Sequence, residues 1–444
     1  MNTTSQTIAN AWKDAERAPR SAPDTLVVGG GVIGLSAALE LQRRGHLVLV
    51  LERAPEVQGA SRGNAGAFAF ADIEPLATPG IMRRAPGWLL DPLGPLSIRP
   101  GYSLRIAPWL LRFWRASWRD RHAAAVAAQA ALMGLSAAAM ERLVADLEAE
   151  PLLRRQGQLQ LYDTKASFEA SQPGWARRKA HGVRFELLQD ARAIAAIQPG
   201  LSPKFRFAGY TPDWTNVTDP AAWHDHLLRC FTARGGKLMR GDLLSISVGS
   251  DGKVTAQTSG GAVDAGHVVL AAGAWSHRIT RGWGEPLPLE TERGYTMTLP
   301  NPNVTLSTHL TFQDHGFVAT SSGSGIRVGG AVELGGLELA PNLRRAQVML
   351  RKAQGFLPGL NGLGGVPWMG FRPSMPDSLP VIAPARLSNR VVMAFGHGHL
   401  GLTQSAGTAE LVADLIEGRA SAIDLSPYAA SRFGSFFQRL TGRS

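Results

Sequence analysis

Apolar and polar positions alternate between two periods along this chain. Thr25–Val28 is a short apolar run, followed by glycines at 29, 31 and 34. An Ala/Leu-rich helical pattern then continues to Arg44, where Gly45 stops it. Leu47–Leu51 is a second apolar run and ends on Glu52. This order predicts strand, tight turn, helix and parallel strand. Further along, Gln156–Tyr162 alternates like a strand, and Trp223–Arg234 repeats like an amphipathic helix. Gly235–Ile246, Val254–Gln257 and His267–Ala272 read as strands. Tyr295–Leu299, Phe317–Thr320 and Ile326–Val328 suggest a mixed or antiparallel sheet. Leu343–Gly355 is helical, and Val391–Phe395 is a buried strand. A glycine turn, Gly396–Gly401, follows, and the helix Thr403–Ile416 closes the pattern. A strand–turn–helix unit therefore stands at each end of the chain.

The first unit carries chemistry. Gly29, Gly31 and Gly34 form G-x-G-x-x-G between a strand and a helix, with Val32 and Ile33 inside the motif. Gly29 permits the turn, Gly31 admits a pyrophosphate close to the backbone, and Gly34 lets the helix approach the sheet. The helix N-terminus favours anions. Glu52, at the tip of the second strand, suits the two hydroxyls of an adenosine ribose. The unit predicts dinucleotide binding. The return of a strand–turn–helix at the far end predicts that early, middle and late segments close one domain.

Composition narrows the class. The chain has 444 residues, 44% hydrophobic and 18% charged, which is globular and long enough for two or three domains. Its one cysteine, Cys230, allows no intrachain disulfide and no cysteine-rich metal site. It reads as a structural thiol on a helix. The formal net charge is +11, yet the basic residues are scattered and carry no nucleic-acid motif, so no nucleic-acid partner is expected. Met1–Pro23 is polar and reads as a flexible extension rather than a signal peptide. Ala123–Met140 is uncharged, but ten of its residues are alanine, which predicts a packed helix rather than a membrane span. His397 and His399 are too poorly placed for a metal, and none is expected.

Several motifs together resemble the flavin-dependent D-amino acid dehydrogenase group, within the wider D-amino acid oxidase, glycine oxidase and sarcosine oxidase superfamily. They are the first βαβ unit, GASRGNAG at 59–66, AAGAWS at 271–276, GFRPSMPDSLPVI at 370–382 and AFGHGHLGLTQSAGTAELVADLI at 394–416. The resemblance spans most of the chain. It implies non-covalent FAD and an α/β fold with α+β character in the cap. A Rossmann-like FAD-binding domain would comprise 24–75, 205–278 and 365–420. A substrate domain with a mixed or antiparallel sheet would comprise 76–204 and 279–364, leaving a tail at 421–444.

The resemblance also implies roles. Arg53 would flank adenine. Ser61, Arg62, Asn64, Ala65 and Gly66 would line the pyrophosphate and the flavin ring. Leu243, or its neighbour Leu244, would offer backbone to adenine. Ala272 and Gly273 would contact phosphate or ribose. His399, Leu400, Gly401 and Leu402 would bring a helix N-terminus to the flavin. Arg372 would clamp a substrate carboxylate, because its planar fork matches two oxygens. The competing reading of Arg372 is a salt bridge with Asp377. Tyr295 would add a polar contact, or else be a core tyrosine.

The implied reaction is oxidation of the Cα–N bond of an amino acid, a D-amino acid above all, by hydride transfer to flavin N5. The resulting imine hydrolyses to keto acid and ammonia. Oxidation of a secondary amine of the sarcosine or hydroxyproline type, or a non-catalytic flavoprotein subunit, are the alternatives. The acceptor would be quinone or oxygen. Trp109–Arg121, with three tryptophans among arginines, suits either an interfacial membrane anchor or a buried stripe. A cytoplasmic location is expected, with peripheral attachment to the inner face of the membrane as the alternative if Trp109–Arg121 is an anchor.

Overall fold

The computed structural model describes residues 12, 22–54, 59–81, 94 and 96–434. Most of the expected extension over 1–23, part of the Pro/Trp-rich segment after 76, and 435–444 of the tail lie outside the described residues.

Two sheets organise the chain. The first has six strands in the order Lys237–Arg240, Val48–Glu52, Thr25–Val28, His267–Leu270, Ser388–Phe395, Val381–Ala385. All neighbours are parallel except the last pair. Its apolar runs are continuous because both faces are covered. Val27, Val48 and Val50 pack under the helices Val32–Arg43 and Gly401–Glu417. Leu26, Val28, Leu49 and Leu51 pack against an antiparallel trio, Leu243–Val248, Val254–Thr258 and Gly261–Ala265. Strands from the start, middle and end of the chain thus meet in one sheet.

The second sheet is larger and mostly antiparallel. Its order is Val366–Ser374, Glu290–Leu299, Gly325–Leu334, Phe317–Ser322, His309–Phe312, Gln158–Tyr162, Phe207–Thr211, Glu186–Leu188, with Leu96–Ile98 also paired to Gly325–Leu334. One face carries an aromatic core that includes Phe205, Phe312, Phe317 and Phe356. The other faces the first sheet across a deep cavity.

Three segments sit elsewhere than their expected domain boundaries imply. Phe207–Thr211, expected with the FAD-binding segments, pairs inside the large sheet. Val366–Ser374 does so too, as an edge strand, which is why its prolines are tolerated. The helix Arg119–Asp146, expected in the cap, instead shares a core with the first and last helices. By length and composition it resembles a membrane span, but Val126, Leu132, Met133 and Met140 are buried in the protein.

That helix crosses Gly401–Glu417 at very close range. A Cβ on Gly407 would lie 2.4 Å from Ser136 Oγ and 2.9 Å from its Cα. Both residues are small because the crossing leaves no room. The first and last helices are also joined by Arg44, which bonds Glu40 at 2.7 Å, Asp414 at 2.7 Å and Glu417 at 2.8 Å. Gly407→Val should force the crossing apart and destabilise the fold by about 1–3 kcal/mol. A lowered denaturation midpoint in urea checks this; an unchanged midpoint refutes the packing account.

Candidate active site

The first sheet ends its parallel strands on one side, and that side opens into a cavity of about 1840 Å³. This exceeds the roughly 300–1,000 Å³ of an ordinary small-molecule pocket. It runs from the glycine turn to the inner face of the large sheet.

At one end lies the turn. Gly29 has φ +110°, and its N–H donates to Leu51 O at 2.8 Å. A Cβ there would sit 2.4 Å from Ala271 O. Gly34 lies behind the cavity wall, where a Cβ would fall 1.9 Å from Gly29 O. Gly31, Val32 and Ile33 line the cavity. Ser61 Oγ accepts the Val32 N–H at 2.9 Å, capping the helix from the neighbouring segment. Glu52 accepts from the Gly30 N–H at 2.8 Å and the Ala54 N–H at 3.1 Å, which fixes its carboxylate at the strand tip.

The segment Ser61–Gly66, expected as a glycine-rich loop, instead begins within a short helix, Ala60–Gly63, and is braced from several sides. Asn64 Oδ1 accepts the Gly66 N–H at 2.7 Å, and Gly66 takes φ +73°. Arg327, a buried side chain of the large sheet, donates to Asn64 O at 2.6 Å. Arg62 lines the cavity but is ion-paired with Asp225 on the helix Pro220–Ala233. It also donates to His224 Nδ1 at 3.1 Å, while His224 Nε2 donates to Gly30 O at 2.7 Å. This relay links the segment to the glycine turn, so Arg62 positions both. Burial works against the Asp225 carboxylate, but His224 and Arg62 hold it below its ordinary range.

Ala65, Ala272, Gly273, Leu400, Gly401 and Leu402 also line the cavity. Arg53 lines it and stacks on Trp275, 4.0 Å from the ring centroid. Leu243 lines the wall, whereas Leu244 is exposed on the other side of its strand. Cys230 is half-buried on its helix and is not a lining residue.

The other end is polar. Gln158, Gln160 and Tyr162, then His309 and Thr311, then Glu292, Gly294 and Thr296, face it from three strands of the large sheet. Trp368, Gly370 and Arg372 share the facing side of the edge strand. The Trp368 indole fits because residues 63 and 370 are glycine; a Cβ at either would lie 2.3 or 2.1 Å from the ring. Gly294 plays the same part for Arg372, with a hypothetical Cβ 2.5 Å from Cζ.

Arg372 donates to Ala331 O at 3.3 Å. It is not paired with Asp377, which instead holds Arg432 at 2.7 Å. Burial lowers the Arg372 guanidinium from its ordinary value, and Glu292 opposes that; arginine remains charged regardless. His399 is exposed to the cavity, yet the surrounding protein screens it from bulk water. Burial, helped by Arg372, lowers its imidazole pKa against the pull of Asp72 and Glu292, which favours the neutral form. His397, beside it, contacts Thr408 Oγ1 at 2.9 Å, and burial lowers it to about 3.

One expected site residue is misplaced. Tyr295 is fully buried on the opposite face of its strand from Glu292, Gly294 and Thr296, and is not a lining residue. Its hydroxyl bonds Glu333 at 3.1 Å and accepts the Asn342 N–H at 3.0 Å. Side chains alternate along a strand, so one position decides the face. It is the core tyrosine of the competing reading. Glu292 and Gly294 were overlooked beside it, although period-two spacing from Thr296 would have found both.

The sequence matches the family described as FAD dependent oxidoreductase over residues 24–415. The chain belongs to that family. A D-amino-acid oxidase of Bradyrhizobium diazoefficiens is 35% identical over 92% of this chain and 98% of its own length. A D-amino acid dehydrogenase of Allorhizobium ampelinum is 31% identical over 92% and 99%. The fold matches the crystal structure of glycine oxidase from Geobacillus kaustophilus with TM-score 0.74 at 22% identity, covering 93% and 99% of the two chains.

FAD is therefore the cofactor, and the residues fit it. Gly31 lines the cavity without a side chain to obstruct a pyrophosphate, Glu52 lines it at the strand tip where it would meet the ribose, and Ser61, Ala65 and Gly66 would leave room for a flat ring. Asp225→Asn should weaken the hold on Arg62 and raise the FAD dissociation constant about tenfold, since a charged partner is lost. Recovery of flavin fluorescence on dilution measures it. Unchanged retention removes the relay from cofactor binding.

Proposed function

We propose that this enzyme oxidises D-amino acids at the Cα–N bond. The observation that carries the reading is Arg372, a half-buried guanidinium facing the cavity with no carboxylate within 4.0 Å among the described residues. The names of the relatives support the D-amino acid class. FAD supplies the two-electron acceptor.

The protein's part is positioning and charge. Arg372 anchors the substrate carboxylate, and Gly294 and Ala331 hold the guanidinium in place. Burial favours the neutral imidazole of His399, which limits its repulsion of the substrate's ammonium group. The helix Gly401–Glu417 starts at the cavity, so its positive end would favour negative charge developing on the cofactor side. Arg372→Ala should raise KM for amino acids at least about thirtyfold, the scale of losing one partner of a buried charge pair, while FAD stays bound. Anaerobic bleaching by D-amino acids, L-amino acids and N-alkyl glycines tests the class: bleaching by D-amino acids is expected. Bleaching by N-alkyl glycines alone would turn the reading to a secondary amine, and none at all to a non-catalytic flavoprotein.

For the electron acceptor we propose a membrane quinone, reached by peripheral contact with the inner face of the membrane. Trp109 is buried, but Leu104, Leu111, Trp114 and Trp118 are exposed on and just after the helix Ser103–Ala116. Arg115 stacks over Trp118 at 4.5 Å, so aromatic and cationic groups share this face. The purified protein should sediment with anionic liposomes, and Trp114→Ser with Trp118→Ser should leave it in solution. A wild-type protein that stays in the supernatant rules the contact out.

A further inference from the structure

The strand Glu290–Leu299 sends Glu292, Gly294 and Thr296 to the cavity and Tyr295 to the core behind. Glu292 is 4% exposed, and its Oε2 is buried with no hydrogen-bond partner among the described residues. It stands directly across from Arg372 in the antiparallel register. Yet no contact within 4.0 Å joins the two among the described residues. The guanidinium lies instead over Gly294, two residues along from Glu292. Two opposite charges therefore sit side by side on one wall, each with bonding capacity unspent. A buried carboxylate left unsatisfied is unfavourable by about 1–3 kcal/mol or more, and a cationic ligand would recover that.

We propose that Glu292 binds the ammonium group of the substrate, so that Arg372 and Glu292 together read the two poles of an amino acid zwitterion. This rests on the amino acid reading above. The spacing selects the α-ammonium over a distal cation. Paired residues on adjacent strands have Cβ atoms about 4.5–5.5 Å apart, so Glu292 and Arg372 root at neighbouring points of one wall and can reach two groups borne on the same carbon. A lysine-like side chain would carry its charge well past Glu292. Of the groups near Glu292, burial favours the neutral form of His399, and Arg372 would be engaged by the substrate carboxylate. 2-Hydroxy acids would satisfy Arg372 but offer Glu292 a neutral O–H in place of an ammonium, a weaker partner for a buried carboxylate. The site would thus discriminate against them.

The test uses binding alone. 2-Aminoisobutyrate has no Cα–H to lose, and 2-hydroxyisobutyrate differs from it only at the charged group. Both are titrated into the FAD-loaded protein by calorimetry. The wild type should prefer the amino acid. Glu292→Gln should cut that preference at least tenfold, mainly by weakening 2-aminoisobutyrate, and Glu292→Asp should keep most of it. An unchanged preference in Glu292→Gln, or equal weakening of both ligands, overturns the assignment. So does a wild type without preference, a result that does not depend on any variant folding. If D-amino acids bleach the flavin while the preference is unchanged, Glu292 alone is wrong. If neither ligand binds and nothing bleaches, the amino acid reading falls with it.

Discussion

The approach of the first helix to its own glycine turn is the constraint on which the rest depends. Gly34 rests on the carbonyl of Gly29 so closely that a methyl group would overlap it, at 1.9 Å. That contact aims the helix start at the tips of the parallel strands. The strand His267–Leu270 and the strand Ser388–Phe395 then extend the same sheet, bringing AAGAWS and the turn at 396–401 to the same cavity. Arg44 and the tight crossing at Gly407 hold the helices that cover this sheet. The cofactor site is thus built from ends of elements, where backbone groups are free and small residues let a ligand approach.

The opposite wall follows different physics. The large sheet places polar side chains of several strands on one inner face while aromatic residues fill the other. Such an arrangement is unfavourable unless each polar group is satisfied. Gln158 bonds Thr311 at 2.7 Å, and Gln160 bonds Tyr162 at 2.8 Å. Arg372 and Glu292 are the charged pair left incompletely satisfied, and they are the groups closest in kind to the two poles of an amino acid. The wall's incomplete bonding and its chemistry coincide.

How much was legible in advance varied with the range of the interaction. The first βαβ unit, the strand–turn–helix at the end of the chain and the helix Trp223–Arg234 were readable because turn residues and apolar period are local. The structure extends that last helix back to Pro220, capped by Asp219. Tyr295 was open to two readings, a polar contact in the site or a core tyrosine, because the sequence marked a strand only over Tyr295–Leu299 and gave no face. The strand begins at Glu290 instead, its first half masked by Glu, Arg and Gly, which have little β-propensity. Val366–Ser374 was hidden by its prolines, although an edge position tolerates them. The helix Arg119–Asp146 was recognisable as a packed helix, but not as a partner of the last helix.

The sequence by itself determined the strand, glycine turn and helix of the dinucleotide cradle, because they are defined by residue type at fixed local spacing; the expectations for Ser61–Gly66 and Arg372 came from the family resemblance. Only the tertiary structure decided which side of each strand faces the cavity and which charges have partners. It paired Asp377 with Arg432 and Arg62 with Asp225, and it left Arg372 beside Glu292. The physical reason is that a strand's face reverses with every residue, and the energy of a charge depends on neighbours far away in the chain. Neither is written in any short stretch of sequence.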